Sequence, residues 1–208
     1  MIVDFEHRFV VATCTKTGTN SLESALVKRS RLCFTVRPRH RMDFEGLMIG
    51  KRPGAGPVVK YTTCRHPLTR WCSGYAHHLR APFWSALEGV GHVTPDTYAA
   101  VFFDKRETER EKSFLWTGTQ HEHHQLLGPE VDDIFYVEEG GLQKLLDKIA
   151  ERHDVRPPAI THVYKRKQQD LDDRAVVDQM HDAELREKLK AWCLEDCNTY
   201  AYRMPEYL

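Results

Sequence analysis

Side chains that can bind an anion are concentrated in one short stretch, Lys16-Thr17-Gly18-Thr19-Asn20-Ser21. It follows an apolar run from Phe9 to Thr13, typical of a buried strand, and precedes Leu22 to Val27, which has helical spacing. The first N–H groups of a helix have no partner within it, and the helix dipole adds partial positive charge there. Gly18 can adopt a positive φ that brings the backbone close to a phosphate, and Lys16 adds a full charge. The stretch therefore predicts a phosphate-binding loop.

A second group of phosphate-binding side chains follows a predicted strand from Val58 to Cys64. Arg65, at the end of that strand, carries a guanidinium fork that suits a phosphate. Pro67 is typical of an early helical position. Ser73 comes eight residues after Arg65. About two helical turns separate them, so the Ser73 hydroxyl can return to the same side. Each of the two groups thus begins where a predicted strand ends.

The first stretch does not fit a Walker A loop, in which the lysine follows the second glycine. It resembles the phosphosulfate-binding loop, P-K-T-G-T-T-S-L, of sulfotransferases that use 3′-phosphoadenosine 5′-phosphosulfate (PAPS), and departs from it at Thr15 and Asn20. The second group resembles the 3′-phosphate site of the same family, approximately R-D-P-x-x-R-x-x-S-x-Y. The chain departs from that pattern at His66 and matches it at Arg65, Pro67, Arg70, Ser73 and Tyr75.

The strand–loop–helix order predicts an α/β class with a mainly parallel central sheet flanked by helices. The length of 208 residues favours one domain over residues 1–208. A further strand is predicted over Ile134 to Val137, ending in Glu138, and Thr94-Pro95 predicts a capped helix start. The resemblance implies a P-loop-like sulfotransferase fold, with a structural role for Glu138. It also implies transfer of a sulfuryl group from PAPS to an acceptor hydroxyl or amine, leaving adenosine 3′,5′-bisphosphate. Lys16 would neutralise the leaving phosphate, residues 17–21 (Thr17, Gly18, Thr19, Asn20 and Ser21) would hold its oxygens, and the 3′-phosphate would contact Arg65, Ser73 and the late basic loop at Lys165 and Arg166.

Composition and residue spacing bear on nucleic-acid binding, cellular location, disulfides and metal binding. Lysine plus arginine and aspartate plus glutamate number 30 each, which does not indicate a nucleic-acid-binding protein. No apolar run approaches the roughly 20 residues of a membrane span, and the charged N-terminus does not resemble a signal peptide, so a cytoplasmic location is expected. The six cysteines form no C-x-x-C pair, which favours reduced thiols. The spacing of His121, His123 and His124 matches known metal-ligand spacings poorly and offers no spaced carboxylate or cysteine partner, so no metal site is predicted.

Two rival functions stay open, and so do the identities of the acceptor substrate and of the catalytic base. A small ATP-dependent kinase would use a similar phosphate loop, and a nucleotide-binding module would use it without catalysis. Glycans, small alcohols, phenols and peptides are all possible acceptors. The base that removes the acceptor proton should titrate near neutrality, which favours histidine. His40, in the loop after a predicted strand at residues 31–36, ranks first because that strand end should lie at the sheet edge of Lys16, and His121 ranks second.

Overall fold

The computed structural model describes residues 2–14, 16–27, 33–35, 57–80, 85–88, 90–109, 117–125, 131–155 and 172–208. The regular elements within these ranges are, in chain order, β1 (Ile2–Asp4), β2 (Phe9–Thr13), α1 (Thr19–Leu26), β3 (Cys33–Thr35), β4 (Val59–Cys64), α2 (Pro67–Arg80), α3 (Pro95–Thr108), α4 (Gln120–Gln125), β5 (Asp133–Tyr136), α5 (Gly141–His153), α6 (Asp173–Asp178) and α7 (Ala183–Tyr200). Short 3₁₀ helices cover Ser85–Leu87 and Val137–Glu139.

The chain divides into two compact units. The first comprises Met1–Arg65 and Glu122–Arg166, and the second comprises His66–His121 and Lys167–Leu208. All five strands belong to the first unit, whereas the second is helical in its described part. The expectation of one domain stays a prediction.

The sheet of the first unit has the strand order β3-β1-β2-β4-β5. β2, β4 and β5 pair in parallel, and β1 is antiparallel to both of its neighbours, β2 and β3. The α/β class is therefore confirmed, and the sheet is mixed because β1 runs against the other four strands. Phe5 to Arg8 join β1 to β2 through a tight turn, in which the Asp4 carboxylate accepts the His7 N–H at 2.8 Å. A connection this short can join only antiparallel neighbours.

One apolar cluster joins α1 and α5 to the sheet. Leu22 and Leu26 of α1 pack with Leu145 and Ile149 of α5 and with apolar strand residues that include Tyr61, and all of them are buried. Burying such side chains contributes about 1.5–3 kcal/mol each, so this cluster holds both helices against the sheet. α1 begins three residues before the predicted Leu22, because the helix starts directly after the phosphate-binding loop.

The C-terminal end of α5 is held against the sheet by His153. Its Nε2 atom lies 3.0 Å from the Tyr61 hydroxyl, and its ring lies 5.0 Å from that of Phe9. Desolvation of the ring is the largest effect on this imidazole, and it lowers the pKa of His153 below its ordinary value. The uncharged form of His153 is therefore the one that the packed unit favours.

The strand β5 ends earlier than its sequence indicates. The predicted strand ran through Val137 to Glu138, but β5 ends at Tyr136 and a 3₁₀ turn follows. Gly140 closes this turn with a φ of 70° and is at the same time the N-cap of α5. Glu138 is exposed in the turn, so it does not belong to the strand.

The second unit has its own core between α2, α3, α6 and α7. Its buried residues include Trp71, Tyr98, Phe102 and Trp192. The Thr94 hydroxyl accepts the Thr97 N–H at 3.1 Å and so caps α3, as its sequence predicts. Asp182 caps α7 in the same way.

All six cysteines are free thiols and all are buried. Cys14, Cys33 and Cys64 belong to the first unit, and Cys72, Cys193 and Cys197 to the second. Within the described ranges, no helix has the length and apolar character needed to cross a membrane.

Candidate anion site at the end of strand β2

The Cys14 carbonyl is the centre of the loop between β2 and α1. It accepts a hydrogen bond from the Thr17 hydroxyl at 2.8 Å and another from the Thr19 hydroxyl at 3.1 Å. The Thr17 N–H also points to this carbonyl, at 3.4 Å. Thr17 is completely buried, so its N–H and its hydroxyl both serve to shape the loop. These bonds fold the chain back on itself directly after the strand.

Two of the described residues of the loop have a left-handed backbone. Gly18 has a φ of 85°, and Lys16 has a φ of 71° although it carries a side chain. Such a conformation costs a residue other than glycine roughly 1–2 kcal/mol, so surrounding contacts must hold Lys16 in place. Left-handed residues of this kind occur in turns whose backbone N–H groups bind anions.

Gly18 is the N-cap of α1, and no side chain caps this helix. The Gly18 carbonyl accepts the N–H groups of Ser21 and Leu22 at 3.0 and 3.1 Å. The N–H groups of Thr19 and Asn20, at the start of the helix, precede these two. Helix starts of this kind attract anions, because the first N–H groups lack intrahelical partners and the helix dipole adds positive charge. Asn20 is exposed and Ser21 is half-buried, so this end of α1 is open to solvent.

Residues at the end of β4 hydrogen-bond to two consecutive loop residues, Lys16 and Thr17. Arg65 donates from Nη1 to the Lys16 carbonyl at 3.2 Å, and Thr63 donates its hydroxyl to the Thr17 hydroxyl at 3.2 Å. These contacts arise because β2 and β4 are parallel neighbours, with Thr13 opposite Thr63. The structure thus brings together the two stretches identified in the sequence, Lys16 to Ser21 and Arg65.

The opposite face of the same strands carries a second buried contact. Thr62 donates its hydroxyl to the Ala12 carbonyl at 3.1 Å, and His124 Nε2 lies at very short hydrogen-bonding distance from the same hydroxyl. Since the single Thr62 proton goes to Ala12, His124 must be the donor in its contact with Thr62. His124 therefore holds the last turns of α4 against the sheet.

Other residues of the second stretch belong to the second unit and form part of its packing. Arg70 is buried, donates from Nη2 to the Gly118 carbonyl at 2.7 Å and lies over the ring of Trp192. The Tyr75 hydroxyl donates to the Val93 carbonyl. The ring of His66, where the family pattern has aspartate, contacts the Arg203 carbonyl at 3.1 Å. Ser73 is half-buried on α2, and its predicted role at the 3′-phosphate stays a prediction.

His121, the second-ranked candidate base, is half-buried near the start of α4. Its N–H donates to Asp196 Oδ1 at 2.9 Å, and both the N–H and the side-chain amide of Gln120 donate to Asp196 Oδ2. Asp196 is fully buried and lies 3.9 Å from Arg70 Nη1. Three N–H donors and a buried cation therefore satisfy this carboxylate, which fixes the backbone at His121.

Four residues named from the sequence, Thr15, His40, Lys165 and Arg166, lie outside the described residues. Two others, Thr62 and Thr63, were not singled out from the sequence although they contact the loop or its strands. His124 was named only as one of a group of histidines without metal, and its contact with Thr62 was not expected. Thr63 lies in β4 two residues before Arg65, and this position was the only signal for it. In the part of the chain that the structure describes, no group of three or more His, Cys, Asp or Glu side chains could hold a metal ion.

Comparisons of the chain with protein-family models, with curated proteins and with solved structures find no match. The function must therefore be argued from the geometry of the loop and from the residues that brace it.

Proposed function

We propose that this chain is a PAPS-dependent sulfotransferase with a P-loop-like sulfotransferase fold. The observation that carries the proposal is the bond from Arg65 Nη1 to the Lys16 carbonyl, at 3.2 Å. It joins two stretches that each resemble a nucleotide-binding segment of that family and that are 49 residues apart in the chain. Coincidental similarity of two separate stretches would not require them to meet in the folded protein.

In this proposal the loop binds the 5′-phosphosulfate of PAPS. The N–H groups of Thr19 and Asn20 and the start of α1 face the phosphate oxygens, and the Lys16 ammonium neutralises the charge that builds on the leaving phosphate. Arg65 carries a guanidinium fork, a group suited to a phosphate, and its bond to the Lys16 carbonyl places it beside the loop. Ser73, Lys165 and Arg166 are proposed to contact the 3′-phosphate on the basis of the sequence alone.

The reaction is an in-line displacement at sulfur. The bond between sulfur and the bridging phosphate oxygen breaks while the acceptor oxygen forms a new bond to sulfur. The acceptor proton passes to a base, for which His40 and His121 are the candidates. As in phosphoryl transfer, the contribution of the protein is then positioning and stabilisation of the developing negative charge.

The decisive experiment compares the binding of adenosine 3′,5′-bisphosphate with that of ATP plus Mg²⁺ by isothermal titration. Clear preference for the bisphosphate supports the proposal, and preference for ATP with Mg²⁺ favours a kinase. Turnover of labelled PAPS with a panel of glycan, alcohol, phenol and peptide acceptors then distinguishes an enzyme from a binding module.

Lys16→Ala tests the catalytic part of the proposal. We expect the turnover of PAPS to fall about a hundredfold or more, the loss typical of removing one stabiliser of developing charge. Lys144→Ala is the matched control, because Lys144 is an exposed lysine of the same unit on α5. Equal turnover in the two variants, under conditions where the chemical step is rate-limiting, would refute the role of Lys16.

A further inference from the structure

Thr63 begins a chain of buried hydrogen bonds that ends at the centre of the loop. Its hydroxyl donates to the Thr17 hydroxyl at 3.2 Å, and the Thr17 hydroxyl donates to the Cys14 carbonyl at 2.8 Å. Thr63 and Thr17 are completely inaccessible to solvent, and Cys14 is almost so. Water therefore cannot substitute for either bond.

The direction of this relay is fixed. A threonine hydroxyl has one proton and two lone pairs. Because Thr17 gives its proton to the Cys14 carbonyl, it is the acceptor in its bond with Thr63. The Cys14 thiol also donates to the Thr17 hydroxyl, at 3.8 Å. The bond from Thr63 thus helps to orient the Thr17 hydroxyl toward the Cys14 carbonyl, to which the Thr19 hydroxyl also donates.

We propose that Thr63 is a positioning residue of the anion site. It touches no ligand itself but acts through Thr17, keeping the loop in the shape that directs the N–H groups of Thr19 and Asn20 toward an anion. The effect of Thr63 on loop order follows from the hydrogen bonds alone, whereas its effect on nucleotide affinity rests on the proposed function.

The neighbouring strand offers a matched control. Thr13 lies directly opposite Thr63 in the parallel pair of β2 and β4, so the two side chains share one face of the sheet. The Thr13 hydroxyl is buried as well, but it has no hydrogen-bond partner in the described part of the chain. Thr13→Val therefore removes a buried threonine hydroxyl from the neighbouring strand, on the same face of the sheet, without breaking the hydrogen bonds from Thr63 to Cys14.

The experiment compares Thr63→Val, Thr63→Ser and Thr13→Val with the wild type. Valine keeps the shape of threonine and loses the hydroxyl, whereas serine keeps the hydroxyl and loses the methyl group. We expect Thr63→Val to speed hydrogen exchange of the peptide covering residues 14–22 and to weaken the binding of adenosine 3′,5′-bisphosphate about fivefold to tenfold, the usual effect of one lost buried hydrogen bond. Thr63→Ser and Thr13→Val should stay within about twofold of the wild type in both measurements.

A role in packing alone would give the opposite order, with Thr63→Ser impaired and Thr63→Val intact, and that result would overturn the inference. So would wild-type exchange and affinity in Thr63→Val. If the valine variant does not fold, Thr63→Ala removes the hydroxyl without adding an atom and takes its place. If the wild type does not bind the bisphosphate, the proposed function fails. Loop exchange, which needs no ligand, then decides the role of Thr63.

Discussion

Gly18 provides the sharpest test of the loop geometry, because two separate constraints act on it. Its φ of 85° lies in the left-handed region. A Cβ atom added to it would come within 2.5 Å of Leu142 Cδ1, in the first turn of α5. Gly18→Ala should therefore destabilise the folded protein both through the strained backbone conformation and through steric overlap with Leu142.

The size of the effect can be worked out from these two constraints. Placing alanine in a left-handed conformation costs roughly 1–2 kcal/mol. Overpacking costs about 1–3 kcal/mol, and the lower end applies here because the overlapping atoms belong to the end of a flexible, half-buried leucine. We expect Gly18→Ala to lower the free energy of unfolding by about 2–4 kcal/mol in total.

Two other glycines allow the conformational cost to be measured separately from the steric overlap. Gly140 has a φ of 70° but no heavy atom within 4 Å of the Cβ position, so Gly140→Ala should show the conformational cost alone, roughly 1–2 kcal/mol. Gly91 has neither constraint, and Gly91→Ala should change stability by less than about 0.5 kcal/mol. Urea unfolding followed by circular dichroism measures all three variants.

The order of stability among the three glycine variants is the critical outcome. If Gly140→Ala is as stable as the wild type, the conformational cost assigned to these positions is wrong. If Gly18→Ala loses no more than Gly140→Ala, the contact with Leu142 contributes nothing. The double variant Gly18→Ala with Leu142→Ala tests this contact directly. If the added methyl group overlaps Leu142, the smaller alanine at position 142 should reduce the stability lost in Gly18→Ala. If there is no overlap, the stability changes of the two substitutions should simply add.

Two further predictions concern polar groups packed in the protein, half-buried His153 in the first unit and buried Asp196 in the second. Because the folded state lowers the pKa of His153, the unfolded state binds the proton more readily, so stability should fall as pH drops below about 6.5, the ordinary value for histidine. His153→Gln keeps an acceptor for the Tyr61 hydroxyl but cannot titrate. Between pH 7.5 and 5.5 the urea midpoint of this variant should therefore fall less than that of the wild type. Equal falls would contradict the role of His153 in the pH dependence of stability. Asp196→Ala leaves the Arg70 cation buried without its carboxylate and should cost about 3–5 kcal/mol, checked by urea unfolding against the exposed control Asp178→Ala.

The longer elements were predictable because their local patterns agree with their tertiary environment. The apolar run at Phe9 to Thr13 gave β2, Pro67 marked the start of α2, and Thr94 marked the start of α3. The strand β1 was missed because three residues are too few to show a period. Its antiparallel direction, and with it the mixed sheet, follows from a tight turn that carries no glycine.

The site was predictable in its residue types but not in its internal contacts. A lysine and a glycine next to a strand end indicate an anion loop, yet nothing in the sequence indicates that Lys16 itself has a left-handed backbone. The bonds from Thr63 and Arg65 depend on the parallel pairing of strands about fifty residues apart, which local patterns do not specify. The carboxylate of Asp196 likewise contacts backbone 75 or 76 residues away.

The distribution of the buried thiols gives each unit a chemical reporter of its own opening. Only the thiolate reacts with alkylating reagents, and desolvation by burial raises the pKa of Cys33 to about 12 and that of Cys197 to about 11. Labelling is therefore slow until the surrounding structure opens. Since three cysteines lie in each unit, mass spectrometry of alkylated peptides over time would yield two separate opening rates from the unmodified wild-type chain.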